Sequence, residues 1–229
     1  MADSLSARLA AVEARVAAAC ARAGRSRGDV RLVGVTKGKD AATVRAALGA
    51  GLRCFGENYA QEWTAKRAAL ADVAGIEWHF IGRIQRNKAA AVAEAGLVHS
   101  LADARVARAL DAAGGRRGVP VPLLIQVNLD GAATKDGVAP AELPELVRTV
   151  RAHGWLRLVG LMAIPAAAEP ERARPRFRAL RELRDGQEAA AELRELSMGM
   201  SGDFEVAIEE GATLVRVGTA IFGSRERTA

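Results

Sequence analysis

Short apolar runs alternate with helix-like segments along almost the whole chain, and this alternation limits the fold more than any other feature of the sequence. The runs are almost continuously apolar, which is typical of parallel strands that helices cover. Eight such runs occur, and each is bounded by polar or glycine-containing stretches. We predict strands at residues 31–36, 52–56, 78–82, 97–100, 122–128, 156–163, 193–198 and 214–218.

Helical periodicity fills the intervals between these runs. An opening helix is predicted over residues 4–23, with apolar residues at Leu5, Leu9, Val12 and Val16. Further helices are predicted at residues 41–50, 60–71, 87–95, 103–113, 141–153, 171–192 and 204–210, and surface loops at 114–120 and 166–175. Eight β/α units in 229 residues predict an α/β fold, a single (β/α)8 TIM-type barrel domain over residues 1–229 with an extra N-terminal helix. An open doubly wound sheet is the alternative.

The composition excludes several classes of function. A net charge of +6 raises the question of nucleic acid, but the arginines are interspersed with acidic residues and aromatic residues make up only 4% of the chain. This is the pattern of solvated helix faces, not of a basic, base-stacking surface, so we expect no nucleic-acid partner.

Targeting and cysteine signals are equally sparse. No run approaches the roughly 18 apolar residues needed to span a bilayer, and the first residues lack the layout of a signal peptide. We therefore expect a cytoplasmic protein with no membrane contact. Cys20 and Cys54 have neither metal-ligand spacing nor a disulfide framework, so no metal site is predicted.

Lysine is the rare basic residue in this chain, since only five of the 33 basic residues are lysines. One of them, Lys37, directly follows the first predicted strand. A primary amine can lose its proton and attack a carbonyl, whereas a guanidinium stays protonated. Lys37 is thus a candidate for Schiff-base chemistry, and a solvated lysine at a strand end is the alternative reading.

The carboxyl ends of barrel strands meet at one mouth, where active sites of this fold are built. The loops after the seventh and eighth strands, residues 197–203 and 216–220, are rich in glycine and hydroxyl groups and suit a phosphate. A phosphate site facing an amine implies a phosphorylated aldehyde. The polar and sulfur-bearing side chains expected at this mouth are Lys37, Asn58, His79, Ser100, Asn128, Met162, Ser197, Ser201, Arg216 and Thr219.

Long ordered motifs carry a family resemblance over nearly the whole chain. They are Val35-Thr36-Lys37, Phe55-Gly56-Glu57-Asn58-Tyr59-Ala60-Gln61-Glu62, Trp78-His79-Phe80-Ile81-Gly82, Gln85 with Asn87-Lys88, Gly160-Leu161-Met162-Ala163-Ile164-Pro165, Ser197-Met198-Gly199-Met200-Ser201 and Arg216-Val217-Gly218-Thr219-Ala220-Ile221-Phe222-Gly223. Together they closely resemble the pyridoxal phosphate homeostasis protein family. The resemblance implies the alanine racemase N-terminal barrel, a pyridoxal 5′-phosphate (PLP) cofactor and a role in handling that cofactor.

The resemblance also implies roles for individual residues. Lys37 resembles the residue that forms the Schiff base with PLP, and Arg216 the residue that faces the pyridine nitrogen. Ser201, Gly218 and Thr219 resemble phosphate ligands. The remaining expected contacts line the ring pocket and are Asn58, His79, Met162, Ser197 and Met200.

These roles favour binding over turnover. A permanently cationic Arg216 disfavours protonation of the pyridine nitrogen and leaves PLP a poorer electron sink. A racemase also needs a second base, and the only tyrosine, Tyr59, follows Asn58 and is read as packing or surface. We therefore expect a non-enzymatic protein that holds PLP and supplies or buffers it. A PLP-dependent racemase-like enzyme is the alternative. A Schiff-base aldolase is disfavoured because no carboxylate pair for proton transfer is evident at the barrel mouth. A protein that senses PLP is a third possibility and overlaps with the first.

Partners are predicted only in outline. PLP-dependent apoenzymes are candidate recipients, and a monomer is expected because no apolar patch is evident outside the barrel. Lys135, in the segment Ala133-Thr134-Lys135-Asp136-Gly137, is a candidate for a second, weaker PLP contact or an exit route, and a solvated loop lysine is the default.

Overall fold

The computed structural model describes residues 4–131, 135–165 and 169–223. Within these residues eight parallel strands close into a barrel in the order of the sequence, with β8 paired to β1. The closed barrel is confirmed, and the open sheet is wrong. The strands are β1 (Arg31–Val35), β2 (Cys54–Glu57), β3 (Glu77–Phe80), β4 (Leu97–Leu101), β5 (Val121–Gln126), β6 (Leu156–Met162), β7 (Glu195–Ser197) and β8 (Leu214–Val217).

Helices surround the barrel and bury their apolar sides against it. The opening helix is confirmed; its N-cap Ser4 accepts a hydrogen bond from the Ala7 N–H at 3.2 Å, and Leu9, Val12 and Val16 are buried at helical spacing. The helices are α1 (Leu5–Arg22), α2 (Ala41–Gly49), α3 (Ala60–Ala69), α4 (Ala89–Val92), α5 (Ala104–Arg117), α6 (Leu143–Arg151), α7 (Pro170–Asp185), α8 (Phe204–Glu209) and α9 (Thr219–Phe222).

The predicted loop at residues 114–120 is largely helical, because α5 continues through Gly114 and Gly115 to Arg117. These glycines serve packing and not flexibility: a Cβ on Gly114 would lie 2.9 Å from the Cβ of Trp155. The helix ends at Gly118, whose φ of +65° supplies the left-handed cap. The sequence signal was read as a loop because the partner that needs the glycines lies far along the chain.

The predicted loop at residues 166–175 is also corrected. Residues 166–168 lie outside the described residues, but α7 begins at Pro170 and runs through Pro175. Pro170 suits the first helical turn, where no backbone donor is needed. Ala173, Phe177 and Leu180 are buried along one face, and this burial offsets the hydrogen bond lost at Pro175. The same helix ends at Asp185, short of the predicted residue 192.

The barrel interior is apolar in part and polar in part. Its apolar cluster comprises Val33, Cys54, Leu97, Leu124, Met162 and Leu214. Charged and polar side chains occupy other inward positions of the strands, notably Glu77 and His79 on β3, Ser197 on β7 and Arg216 on β8. We call the end of the barrel at the strand C-termini the upper end, and the opposite end the lower end.

Candidate functional site

Lys37 lies at the upper end of the barrel, two residues beyond β1. Its side chain is partly buried, and its Nζ lies 4.8 Å from the ring centroid of Tyr59, the residue just before α3. The amine therefore stands at the mouth where this fold builds its active sites. Tyr59, read from the sequence as packing or surface, is an exposed neighbour of that amine.

A buried charged pair supports the backbone just before Lys37. Lys66 on α3 donates from Nζ to the carbonyl oxygen of Thr36 at 2.7 Å and to Glu57 Oε1 at 2.6 Å. The Thr36 hydroxyl donates to the same carboxylate oxygen at 2.5 Å. Burial raises the pKa of Glu57, and the hydrogen bonds from Lys66 and Thr36 oppose that rise. The pair thereby ties α3 and β2 to the end of β1.

This pair was not predicted from the sequence, although the sequence contains a signal for it. Trp63, Lys66 and Leu70 are spaced three and four residues apart, and all three are buried on the inner face of the α3 region. A lysine in the apolar stripe of a helix is unusual, and lysine is rare in this chain. Lys66 could therefore have been predicted from the sequence on the same grounds as Lys37.

Arg216 projects from β8 into the barrel and is almost fully buried. Its Nη1 donates to Ser197 Oγ at 2.5 Å and its Nη2 to the carbonyl oxygen of Ala163 at 3.0 Å. Burial lowers the pKa of Arg216 to about 10, and the negative charge of Asp203 opposes this effect. The guanidinium offers only donors, so it suits an acceptor such as an unprotonated ring nitrogen.

His79 does not stand alone in the interior, because both its ring nitrogens are engaged. Nε2 lies 3.0 Å from Glu77 Oε1, and Nδ1 lies 2.9 Å from His99 Nε2. His99 in turn places Nδ1 2.8 Å from Ser197 Oγ. His79 is thus joined to Arg216 through two other side chains, and a direct contact between His79 and a cofactor ring stays a prediction.

His99 was also missed by the sequence analysis, which named Ser100 on the same strand. Leu97 and His99 share one face of β4, and Leu97 belongs to the interior apolar cluster. Alternation along the strand therefore placed His99 inside the barrel. Burial is the main cause that holds the pKa of His99 well below its ordinary value, and the positive charge of Arg216 adds to it.

The two loops predicted to hold a phosphate meet at the upper end. Ser201 Oγ accepts a hydrogen bond from the Ala220 N–H at 3.3 Å, which joins the loop after β7 to the start of α9. Within the described chain, the N–H groups of Gly218 and Thr219 have no acceptor. These donors and the Ser201 and Thr219 hydroxyls form a set that fits a phosphate dianion.

Gly218 lies beside the end of the first strand. A Cβ on this residue would lie 3.4 Å from the carbonyl oxygen of Val35, so the loop after β8 packs against the end of β1. The phosphate-suited loop therefore lies beside the strand that carries Lys37. An amine and a phosphate cradle at adjacent strand ends fit the two functional ends of PLP.

The other predicted ring contacts differ in their surroundings. Met162 is fully buried in the interior apolar cluster. The Asn58 Oδ1 atom is buried without a hydrogen-bond partner among the described residues, so it can accept from a ligand. Met200 is exposed, and its N–H donates to Asp203 Oδ1 at 2.6 Å. Asn58, Met162 and Met200 thus lie at or just beyond the C-terminal ends of their strands, and their contacts with a ligand stay predictions.

Lys135 lies in the loop beyond β5, where its Nζ contacts the Asp130 carboxylate. Asp130 also accepts from Arg176 Nε at 2.5 Å. Ala133 and Thr134 of the same motif lie outside the described residues. A PLP contact at Lys135 stays a prediction, and it would have to compete with this carboxylate.

Three groups of metal-ligand type meet at the lower end, although the two cysteines show no metal-ligand spacing along the sequence. Cys54, Glu77 and His79 place their ligand atoms within 4.8 Å of one another. Glu77 is already engaged by Arg31 Nη1 at 3.0 Å and by His79. Burial raises the pKa of the Cys54 thiol well above its ordinary value, which disfavours the thiolate a metal requires. Glu77 and His79 are thus already hydrogen-bonded to each other, and the protonated Cys54 thiol is a poor metal ligand.

Among the described helices, none is both long and apolar enough to cross a membrane.

Comparison with known proteins places this barrel among relatives. The family described as "Alanine racemase, N-terminal domain" matches residues 7–226. A pyridoxal phosphate homeostasis protein of Aquifex aeolicus is 44% identical over 223 residues, covering 96% of this chain and 97% of that protein. Another of that name, from Pseudomonas aeruginosa, is 47% identical over 220 residues, covering 95% and 94%. The solved structure of PipY from Synechococcus elongatus, with PLP bound, aligns with a TM-score of 0.83 at 35% identity, covering 96% of this chain and 100% of that one.

The fold and the site therefore define a barrel of the alanine racemase N-terminal class, with a lysine behind its first strand and donor-rich loops behind its last two. Within this class, the chain is more than 40% identical to the two pyridoxal phosphate homeostasis proteins over nearly the full length of each. The chain belongs to the pyridoxal phosphate homeostasis protein family, as the sequence motifs predicted.

Proposed function

We propose that the chain binds PLP at the upper end of its barrel and takes part in PLP homeostasis. The observation that carries this is the packing of Gly218 against Val35, which sets the donor-rich loop beside the strand that carries Lys37. PipY, a relative at 35% identity, has been solved with PLP bound. The buried guanidinium of Arg216 and the free acceptor on Asn58 supply the remaining polar contacts.

Each part of the site has a distinct task in this proposal. When bound, PLP supplies an aldehyde that condenses reversibly with a primary amine. Lys37 holds the cofactor covalently through Nζ, in the Schiff base that the sequence motifs imply. Ser201, Gly218 and Thr219 hold the phosphate, while Arg216 faces the pyridine nitrogen. The ring pocket is completed by Asn58, His79, Met162, Ser197 and Met200. Ser197 also binds Arg216 directly, and His79 is joined to Arg216 through His99 and Ser197.

The same arrangement supports binding without turnover. Arg216 has no acceptor to offer, so it cannot hold a proton on the pyridine nitrogen in the way a carboxylate does. Tyr59 contacts the Lys37 amine itself and is not placed across the pocket from it as a second base. The protein in this proposal is a monomer in the cytoplasm that sequesters a reactive aldehyde and supplies it to PLP-dependent apoenzymes.

Equilibrium titration with PLP tests the binding claim. Lys37→Ala should weaken PLP binding at least tenfold, and Lys39→Ala, two residues along the same loop, serves as the matched control and should bind as the wild type does. Pyridoxal, which lacks the phosphate, should bind much more weakly than PLP. Equal affinity for the two compounds would count against the phosphate cradle at Gly218 and Thr219.

The enzymatic alternative has its own readout. Amino acids incubated with the PLP-loaded protein in deuterated water should show no exchange of the α-proton above the rate given by free PLP. Exchange that depends on Lys37 would favour a racemase-like activity. Transfer of PLP to an apoenzyme, followed by recovery of that enzyme's activity, would support the supply role.

A further inference from the structure

An unbroken line of hydrogen bonds crosses the barrel interior from the lower end to Arg216. Glu77 Oε1 lies 3.0 Å from His79 Nε2, and His79 Nδ1 lies 2.9 Å from His99 Nε2. His99 Nδ1 lies 2.8 Å from Ser197 Oγ, which lies 2.5 Å from Arg216 Nη1. We call Glu77, His79, His99, Ser197 and Arg216 the imidazole relay.

Only one arrangement of protons satisfies every member of the imidazole relay. Arg216 can only donate, so Ser197 Oγ accepts from it and has one proton left to donate to His99 Nδ1. His99 then carries its proton on Nε2 and donates to His79 Nδ1. His79 likewise carries its proton on Nε2 and donates to the Glu77 carboxylate. In the reverse arrangement, with both rings protonated on Nδ1, a lone pair of His79 would face that carboxylate. The proton of the Ser197 hydroxyl would then have no acceptor.

The imidazole relay thus has the Arg216 cation at its upper end and the Glu77 carboxylate at its lower end. Every hydrogen bond in it is donated in the direction from Arg216 to Glu77. Among the described residues no carboxylate forms an ion pair with Arg216, whose hydrogen bonds go to a hydroxyl and a backbone carbonyl. A buried charge without a partner is costly, and aligned hydrogen bonds that end on an opposite charge reduce that cost. Both imidazoles are neutral in this arrangement, in keeping with their complete burial.

The lower end of the imidazole relay is accessible from outside the barrel. The Glu77 side chain is 44% exposed, and it lines a cavity of about 570 Å³ together with Arg31, Arg157, Arg194 and Glu195. Accepting a hydrogen bond from His79 holds the pKa of Glu77 below its ordinary value, and Arg31 adds a smaller effect. The carboxylate therefore stays ionised at neutral pH, and its Oε1 atom accepts from both His79 and Arg31.

We propose that Glu77 is a positioning residue for Arg216: acting through His79, His99 and Ser197, it fixes the orientation of the guanidinium that faces the cofactor ring. The proposal deepens the proposed function and rests on it. Without the carboxylate, His79 loses its acceptor and is free to carry its proton on Nδ1. Ser197 Oγ would then accept from both His99 and Arg216, its own proton would have no acceptor, and the hydroxyl that orients the guanidinium would no longer be held in one position.

Nitrogen NMR of the two buried imidazoles tests the imidazole relay without any cofactor. Wild-type protein should show His79 and His99 as neutral rings protonated on Nε2. Glu77→Met should move both rings towards the Nδ1-protonated form, whereas Glu77→Gln keeps an acceptor and should preserve the wild-type form. Arg31→Met is the matched control, because it removes the other partner of Glu77 and leaves the relay intact. A charged or Nδ1-protonated ring in wild-type protein would overturn the proposal even if no variant folds.

The cofactor supplies a second readout. Glu77→Met should weaken PLP binding about three- to tenfold, the range expected for one net hydrogen bond, and shift the absorption maximum of bound PLP. Glu77→Gln should have a smaller effect and Arg31→Met none. Unchanged affinity and spectrum in Glu77→Met would overturn the positioning role. A wild-type protein that takes up no PLP would contradict the proposed function, while the NMR result would still decide the imidazole relay.

Discussion

The buried amine of Lys66 donates a hydrogen bond to the carbonyl oxygen of Thr36 at 2.7 Å, one residue before Lys37. The anchor of the proposed cofactor site is therefore held in place by a second lysine from α3. Its charge is balanced by Glu57 Oε1 at 2.6 Å, so the support for Lys37 depends on a buried ion pair.

Breaking this pair should be costly. Lys66→Met leaves Glu57 buried and without its cation, and we expect a loss of roughly 3–5 kcal/mol in the free energy of unfolding. Glu57→Gln combined with Lys66→Met should lose less than the two single changes added together. Denaturant unfolding measures all four proteins, and Lys88→Met, at the partly buried Lys88 of the barrel mouth, is the control expected to stay near wild type. Additive losses would contradict the coupling.

Gly199 and Gly202 share the loop after β7 but differ in what an added Cβ would meet. Gly199 has a φ of +90°, and its Cβ would lie 2.6 Å from the Cβ of Ala207 and 2.9 Å from the Cα of Phe204. Gly202 has open space. We expect Gly199→Ala to cost about 1–3 kcal/mol in stability and to weaken PLP binding, because the loop that carries Ser201 must shift. Gly202→Ala should leave both unchanged; equal effects in calorimetry and titration would contradict this account.

Glu210 joins the end of α8 to α7 through arginines. Its carboxylate is only 5% exposed and accepts from Arg178 Nη2 at 2.9 Å and from Arg174 Nη1 at 3.3 Å. Hydrogen bonds from Arg178, and then from Arg174, hold the pKa of Glu210 below its ordinary value. Because the folded state favours the ionised form, the stabilisation is complete above the ordinary pKa of 4.5 and is lost as the pH falls through the lower, folded-state value.

Glu210→Gln should therefore destabilise the protein by roughly 1–3 kcal/mol at neutral pH, and the difference from wild type should shrink in acid. Unfolding free energies measured between pH 7 and pH 3 check the trend. The control is Glu192→Gln, since the ion pair of Glu192 with Arg151 is solvent-exposed on both sides and should contribute no more than about 1 kcal/mol. If the stability difference between Glu210→Gln and wild type grew as the pH fell, the folded state would not favour the ionised form of Glu210, and the prediction would be wrong.

The sequence predicted the barrel because near-continuous apolar strands and helical periodicity are local signals. The wrong predictions have physical causes. Gly114 and Gly115 were predicted to lie in a loop because Trp155, which packs closely against them, is distant in the sequence. Pro175 read as the end of a loop because the burial of Phe177 and Leu180 that stabilises α7 is a tertiary effect. Propensity alone could not weigh these contacts.

The candidate site likewise has residues that could be predicted from the sequence and contacts that could not. Lys37 and the loops of Ser201 and Gly218 could be predicted because strand ends of a parallel barrel converge and because the motifs are ordered along the chain. The hydrogen bonds around Arg216 could not be predicted, since they join β8 to Ser197 on β7, to the carbonyl of Ala163 after β6 and, through Ser197, to His99 on β4. His99 was missed for this reason, although alternation along β4 placed it inside.

Borohydride reduction of the PLP-loaded protein, followed by peptide mapping, tests the central claim most directly. The account predicts a visible absorption band that reduction abolishes and a pyridoxyl group on Lys37, with Lys39, Lys66 and Lys135 unlabelled. Lys37→Arg should remain colourless, while Lys39→Arg should label as the wild type does. Labelling that is spread over several lysines, or a protein that takes up no PLP, would contradict the assignment of Lys37 as the residue that holds the cofactor.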